Sequence, residues 1–333
     1  SYATLALAAH HTSRIRLGTG VAIAGTRLAP VTAHSIASIN KLAPGRVFLG
    51  IGTGHTAMRI MGQRPMKAAA FREYLRVLRA LLHGEVAAVL QALYEDHPEG
   101  VAAIAPQVAR HVAEAGDEGQ AVRYLILAGD GALAGYANRE AEAFYRRALD
   151  LAPGESERAH LLSGLGEALF RQGCCQEAIR IWGQGIERYS VLEDHDGLAR
   201  LYARSSRAAD LANDPAEALR LCLEGLEGLA RIEEAPEGQG LSRLLHETAR
   251  AYASNARTEE ARPFAERALE MAERLGDVEV QVHALATLGG LCPSSGEHAL
   301  EATAKAVELA ASHGLPIAGS RATINLGFAI ILH

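Results

Sequence analysis

The sequence predicts a mainly α protein: a solenoid of paired helices preceded by a small, partial β/α segment. Three observations predict it. Residues 1–84 hold eleven of the 33 Lys and Arg but one of the 39 acids, Glu73, so this stretch is net +10 and the remainder net −16. That break marks a change of domain and of origin. Up to Gly84 the apolar pattern alternates strand with helix. Beyond it strand signals vanish, and an Ala/Leu/Glu/Arg-rich chain repeats small residues at helical spacing.

Composition narrows the function classes. With 333 residues, 49% hydrophobic and 22% charged, the chain is long enough for two domains. No apolar run reaches the roughly 18 residues of a membrane span. Four cysteines are too few for a disulfide-stapled secreted scaffold and point to a reducing, cytoplasmic setting. Tyr2 to Ala9 is apolar, but no basic region precedes it as in a signal peptide. The basic residues before Gly84 are dispersed among Gly and apolar runs, which argues against direct nucleic-acid contact.

Arg14 to Ile23 is β-prone and rich in small residues at its end. Val31 to Ala43 places Ile36, Ile39 and Leu42 at helical spacing, and Pro44-Gly45 stops that helix. Arg46 to Gly52 is a nearly continuous apolar strand, the pattern of a strand covered on both faces of a parallel sheet. Thr53-Gly54-His55 reads as a loop, and Phe71 to His83 as an amphipathic helix. Strand, helix, strand, helix is the βαβ rhythm. Gly18, Gly20, Gly52 and Gly54 lie at the carboxyl ends of the two strands, where parallel sheets bind ligands and where glycine allows close backbone approach.

Ser13 to Val21, Ala37 to Leu42 and Pro44 to Gly54 together resemble the bacterial luciferase-like monooxygenases. Asn40 and Val47 depart from that family's usual Asp and Phe. Met58 to Met66 and Phe71 to Leu75 are most similar to its deazaflavin-dependent reductase branch. The resemblance implies a (β/α)8 barrel moving hydride between a flavin or deazaflavin and an organic substrate. It further implies cofactor contacts at Gly18, Thr19, Gly20, Gly52 and Gly54. A closed barrel needs eight strands and roughly 250 residues, so residues 1–84 are expected to be a fragment, with no cofactor bound and no catalytic residues in this chain.

From Glu85 onward a pair of small residues seven apart recurs: Ala141/Ala148, Ala178/Gly185, Ala218/Gly225, Ala261/Ala268 and Ala299/Ala306. Two helical turns put both members on one face. Twelve before the first member stand Gly129, Gly166, Ser206 and Ala249, on a preceding helix; in the shorter fifth unit Leu288-Gly289 takes this place. Tyr145, Trp182, Cys222 and Ala265 follow the first member by four and should fill the core. Leu326-Gly327 opens a sixth helix. One helix pair cannot bury its apolar face, but stacked neighbours can.

This pattern closely resembles tetratricopeptide repeats, stretched beyond their period of about 34 residues. Ile104 to Leu149 is similar to the repeat region of large bacterial signalling ATPases and transcriptional regulators. No Gly-x-x-x-x-Gly-Lys-Ser/Thr phosphate loop accompanies it. The expected organisation is a β/α segment over 1–84, a helical junction over 85–116 and repeats over 117–333. The resemblance implies a protein or peptide partner in a groove lined by the first helix of each pair. Counting six and three before, and one and four after, the small residue of that helix, it places there Arg123, Ile126, Asp130, His160, Ser163, Glu167, Phe170, Arg207, Asp210, Arg243, His246 and Arg250. The expected function is therefore a protein-interaction scaffold in a signalling or transcription-regulatory system. The alternative is a flavin- or deazaflavin-dependent oxidoreductase present only as a fragment.

Other residues look chemical without forming a site. Cys174-Cys175 adjoin a turn, while Cys222 and Cys292 read as apolar fillers. No Cys-x-x-Cys pairing supports zinc, and His10-His11 at a helix end lacks a carboxylate partner in sequence. His55 reads as exposed. No metal is expected.

Overall fold

The computed structural model describes residues 2–94, 98–232, 237–291 and 296–332; Cys292 lies outside them. The chain divides into two compact units, residues 1–131 and 132–333.

In the first unit, α1 (Tyr2–His11) leads to β1 (Leu17–Ile23), α2 (Ala29–Leu42), β2 (Val47–Gly52), α3 (His55–Ile60), α4 (Ala68–Tyr94) and α5 (Pro98–Ala115). The two strands pair in parallel, Leu17 opposite Val47 and Ile23 opposite Gly52. Ala9, Leu17, Ile39 and Ala43 form one small core; Ala24, Ala29, Ala33, Tyr74 and Leu78 form another. Thr32 and Tyr74 share a buried hydroxyl–hydroxyl hydrogen bond of 2.7 Å, tying α2 to α4. The Arg46 guanidinium donates to the carbonyls of Ala9 and Ile15 and to the Thr12 hydroxyl, closing the turn after α1.

Three expectations change here. The second strand is only half-buried, and Phe48 is 46% exposed. Its apolar sequence suits a sheet continued and covered on both faces, and among the described residues only β1 pairs with it. His55 opens a helix rather than sitting in a loop, because Gly54 takes φ +73° and turns the chain into α3. The helix expected to end at His83 continues through Gly84 to Tyr94. A single glycine weakens a helix by about 1 kcal/mol without ending it.

From α6 (Glu118–Ala134) onward every element is a helix among the described residues: α7 (Asn138–Asp150), α8 (Glu155–Arg171), α9 (Cys175–Val191), α10 (His195–Leu211), α11 (Pro215–Ala230), α12 (Gln239–Ser254), α13 (Thr258–Leu275), α14 (Val278–Gly290), α15 (Gly296–Ser312) and α16 (Pro316–Leu332). In the second unit the helices form successive antiparallel pairs, each packing on the next. The small residues spaced by seven are buried, as are Tyr145, Trp182, Cys222 and Ala265, each fully enclosed.

The turns repeat as well. Tight turns after α8, α10 and α12 place Gly173, Asn213 and Ala256 at positive φ. Helix starts are fixed by carboxylates: Asp194, Asp214 and Asp277 each accept from the backbone N–H three residues on. Asp214 is followed by Pro215 at the first helical position. Asp214→Ala should lower stability by about 1 kcal/mol, read as a lower urea midpoint. An unchanged midpoint would show that α11 is held by packing alone.

Candidate functional site

A pocket of about 140 Å³ opens in the second unit. Four first-of-pair helices supply its wall: Phe170 from α8, Arg200, Ala203, Arg204 and Arg207 from α10, Arg243, His246 and Glu247 from α12, and Glu279, Val280 and His283 from α14. Trp182 of α9 backs it. Stacking the pairs places these first helices in succession, so side chains far apart in sequence meet on one surface.

The apolar end is closely packed. Trp182 is fully buried, its Nε1–H donates to the Ser163 carbonyl at 3.1 Å, and its ring lies 5.8 Å from that of Phe170. Gly166 is required beside it, because a Cβ there would collide with the indole.

The polar end is rich in arginine. Arg200 pairs with Asp196 at 2.7 Å, and Arg243 with Glu279 at 3.0 Å and Asp277 at 3.4 Å. Arg204 donates to the Ser163 hydroxyl at 3.2 Å and stands 3.7 Å from Glu167, which is itself engaged by Arg171 at 2.7 Å. Arg207 is half-buried and, among the described residues, has no carboxylate within 4.0 Å. Burial lowers the pKa of both Arg204 and Arg207. Arg200 and Arg243 add to the effect at Arg204, and Arg250 adds to it at Arg207, while nearby acids oppose it. Both guanidiniums stay charged at neutral pH, so the downward shift registers positive charge held in a partly desolvated place.

Beside the pocket lies a closed ion-pair network. Arg250, nearly buried, donates to Asp210 at 2.5 Å and to Glu247 at 2.6 Å. Burial alone would raise the Glu247 pKa, but the Arg250 charge, the His246 hydrogen bond and Arg207 outweigh it and bring it down to about 2. The buried His246 ring bonds Thr287 at 3.2 Å and stacks 5.5 Å from His283.

Of the residues placed in the groove from sequence, the pocket gathers Phe170, Arg207, Arg243 and His246. Ser163 and Glu167 hold Arg204 from α8, and Asp210 and Arg250 pair with each other. His160 is exposed on α8; Arg123 and Asp130 lie on α6 in the first unit. The reading missed Arg200 and His283. They stand six before Ser206 and Gly289, the offset that selected His160 and Arg243, so the same rule would have found them. Arg204 carries no such signal: its long side chain reaches the groove from a neighbouring position.

The five candidate cofactor contacts in the first unit do not form a cradle. The space beside Gly18 is filled by the Phe48 ring, and that beside Gly54 by Ile23 and Met58. The Thr19 hydroxyl is spent on the Gly50 carbonyl at 2.6 Å. Gly20 has open space beside it and Gly52 only a distant Val21 methyl. Among the described residues, no group of three or more His, Cys, Asp or Glu converges as a metal site, and no helix is long and apolar enough to cross a membrane.

Cys222 is a core residue. Its thiol donates to the Ser206 hydroxyl at 3.0 Å, and burial pushes its pKa up to about 12. Iodoacetamide should therefore modify the exposed Cys174 in the native protein and reach Cys222 only after unfolding. Rapid native labelling of Cys222, read by mass spectrometry, would contradict this packing.

The luciferase-like monooxygenase family model matches residues 1–161, and the tetratricopeptide repeat model matches residues 157–231. A 5,10-methylenetetrahydromethanopterin reductase of Methanolobus tindarius is 40% identical over 88 residues, 25% of this chain and 26% of that protein. An F420-dependent glucose-6-phosphate dehydrogenase of Nocardia farcinica is 36% identical over 137 residues, 35% of this chain and 41% of that protein. The chain thus spans between a quarter and about two-fifths of the length of these curated relatives. Among solved structures, the apo form of RapI aligns with a TM-score of 0.51 at 12% identity, covering 78% of this chain and 97% of that one. At that identity the likeness is one of fold. The sequence therefore carries luciferase-like similarity at its N-terminal end and tetratricopeptide repeats after it, in a tetratricopeptide-like helical solenoid.

Proposed function

We propose that this protein is an interaction scaffold that takes a peptide segment of a partner protein into the groove of its second unit. The observation that carries the reading is the shared pocket, in which α8, α10, α12 and α14 present an aromatic wall beside charged side chains. A concave surface of this kind suits an extended or helical peptide. A cytoplasmic signalling or transcription-regulatory assembly is the proposed setting, by the likeness of the repeats to such proteins.

Selection of a randomised peptide library on the full-length chain tests this. Binders are expected, and Phe170→Ala with Arg243→Ala should abolish their binding without loss of helical circular dichroism. Recovery of no binder, or binding indifferent to both substitutions, would overturn the proposal.

The similarity to F420-dependent enzymes supports a second reading, deazaflavin-linked oxidoreduction, for a longer luciferase-like domain. For this chain we propose no cofactor, because Gly18, Thr19 and Gly54 are occupied by the protein's own contacts. Titration with F420 should leave its fluorescence unchanged. Saturable quenching would reinstate the enzymatic reading.

A further inference from the structure

The pocket's charge is unbalanced at one end. Arg204 and Arg207 lie one helical turn apart on α10 and face the same pocket. The acids nearest to them are already committed: Glu167 to Arg171, and Asp210 and Glu247 to Arg250. Arg204 keeps one long contact to Glu167 beside its hydrogen bond to Ser163, and Arg207 has no carboxylate within 4.0 Å among the described residues. Of the four arginines around the opening, Arg200 is matched by Asp196 and Arg243 by Glu279 and Asp277, while Arg204 shares Glu167 with Arg171. Two guanidinium forks side by side match the two oxygens of a carboxylate. Beside them, Phe170, Ala203 and Val280 provide an apolar wall.

From this arrangement we infer that the groove selects an acidic peptide segment, with an Asp or Glu carboxylate on Arg204 and Arg207 and an adjacent apolar side chain against Phe170. The inference rests on the peptide-binding reading and adds the chemistry of the partner. The depressed pKa values of the two arginines agree with it, because an incoming carboxylate would relieve the like-charge repulsion and replace lost hydration. A carboxylate suits the site better than a phosphate dianion. Arg200 and Arg243 already hold acids, and at the remaining end Arg171, Arg204, Arg207 and Arg250 face Glu167, Asp210 and Glu247, which leaves one negative charge to be supplied.

The library selection on the full-length chain also tests this. The selected consensus should place Asp or Glu next to an apolar residue. A fluorescein-labelled peptide of that sequence should weaken with added salt and lose affinity roughly ten- to hundredfold against Arg204→Gln/Arg207→Gln. Replacing its acids with Gln or Asn should have a similar effect. The double variant must keep native helicity and melting, and the single Arg207→Gln serves if it does not. Neutral or basic binders that still depend on Phe170 would overturn the inference while leaving the groove reading intact. A phosphoserine peptide that binds where the Glu peptide does not would overturn it in favour of phosphopeptide recognition. No binders at all would sink both readings.

Discussion

Trp182→Ala should be the most destabilising single truncation in the second unit, by about 3–5 kcal/mol. The indole is fully buried between α8 and α9, and its N–H satisfies the Ser163 carbonyl. Truncation removes a large apolar surface, opens a cavity beside Gly166 and deletes the hydrogen bond that links the two helices. For a unit of this size the melting temperature should fall by roughly 10 °C. Trp182→Phe should recover much of the loss, since the ring is replaced and only the hydrogen bond is missing. A melting temperature within a degree or so of wild type for Trp182→Ala would mean that α8 and α9 are not packed through this side chain.

Arg250→Met should come close to it, at about 3–5 kcal/mol, for an electrostatic reason. Arg250 is 9% exposed and serves both Asp210 and Glu247. Removing it strands two partly buried carboxylates without their counter-charge. The pH dependence distinguishes this from simple loss of packing. Glu247 is held at about 2 in the folded state, below its unfolded value of about 4.3. A depressed carboxylate contributes stability that is fully present above the unfolded pKa and is lost as pH falls through the folded one. Wild-type urea midpoints should therefore decline between about pH 5 and about pH 2. In Arg250→Met that decline should shrink, because Glu247 no longer has a strongly lowered pKa. An equally steep acid decline in both proteins would show that Arg250 is not what holds Glu247 ionised.

The two halves of the chain were unequally legible. In the repeats, periodicity and packing say the same thing: a small residue every seven positions can only be buried by a neighbouring helix, and Ala178, Gly185 and Trp182 are buried together. Within the Arg250–Asp210–Glu247 network, the Glu247–Arg250 pair stands three apart on α12 and is local, whereas the Arg250–Asp210 contact joins α12 to α10 and no spacing rule says which groove residues pair across helices. The exposure of β2 was misread for another reason. Strand composition records the neighbours a strand is suited to, and Val47 to Gly52 is suited to a wider sheet than the one described. The groove lay between these cases: counting from the small residue of each first helix found Arg207, one after Ser206, and Arg243, six before Ala249, and the latter offset would also have found Arg200 and His283.

The central claim is that partner recognition resides on the stacked first helices of the second unit. A photo-crosslinking group placed at the apolar position of the selected peptide tests it most directly on the full-length chain. Cross-links mapped by mass spectrometry should fall on Phe170, Ala203 and Val280 and disappear with excess unlabelled peptide. Competable cross-links confined to residues 2–94 would contradict the account and move recognition to the β/α segment.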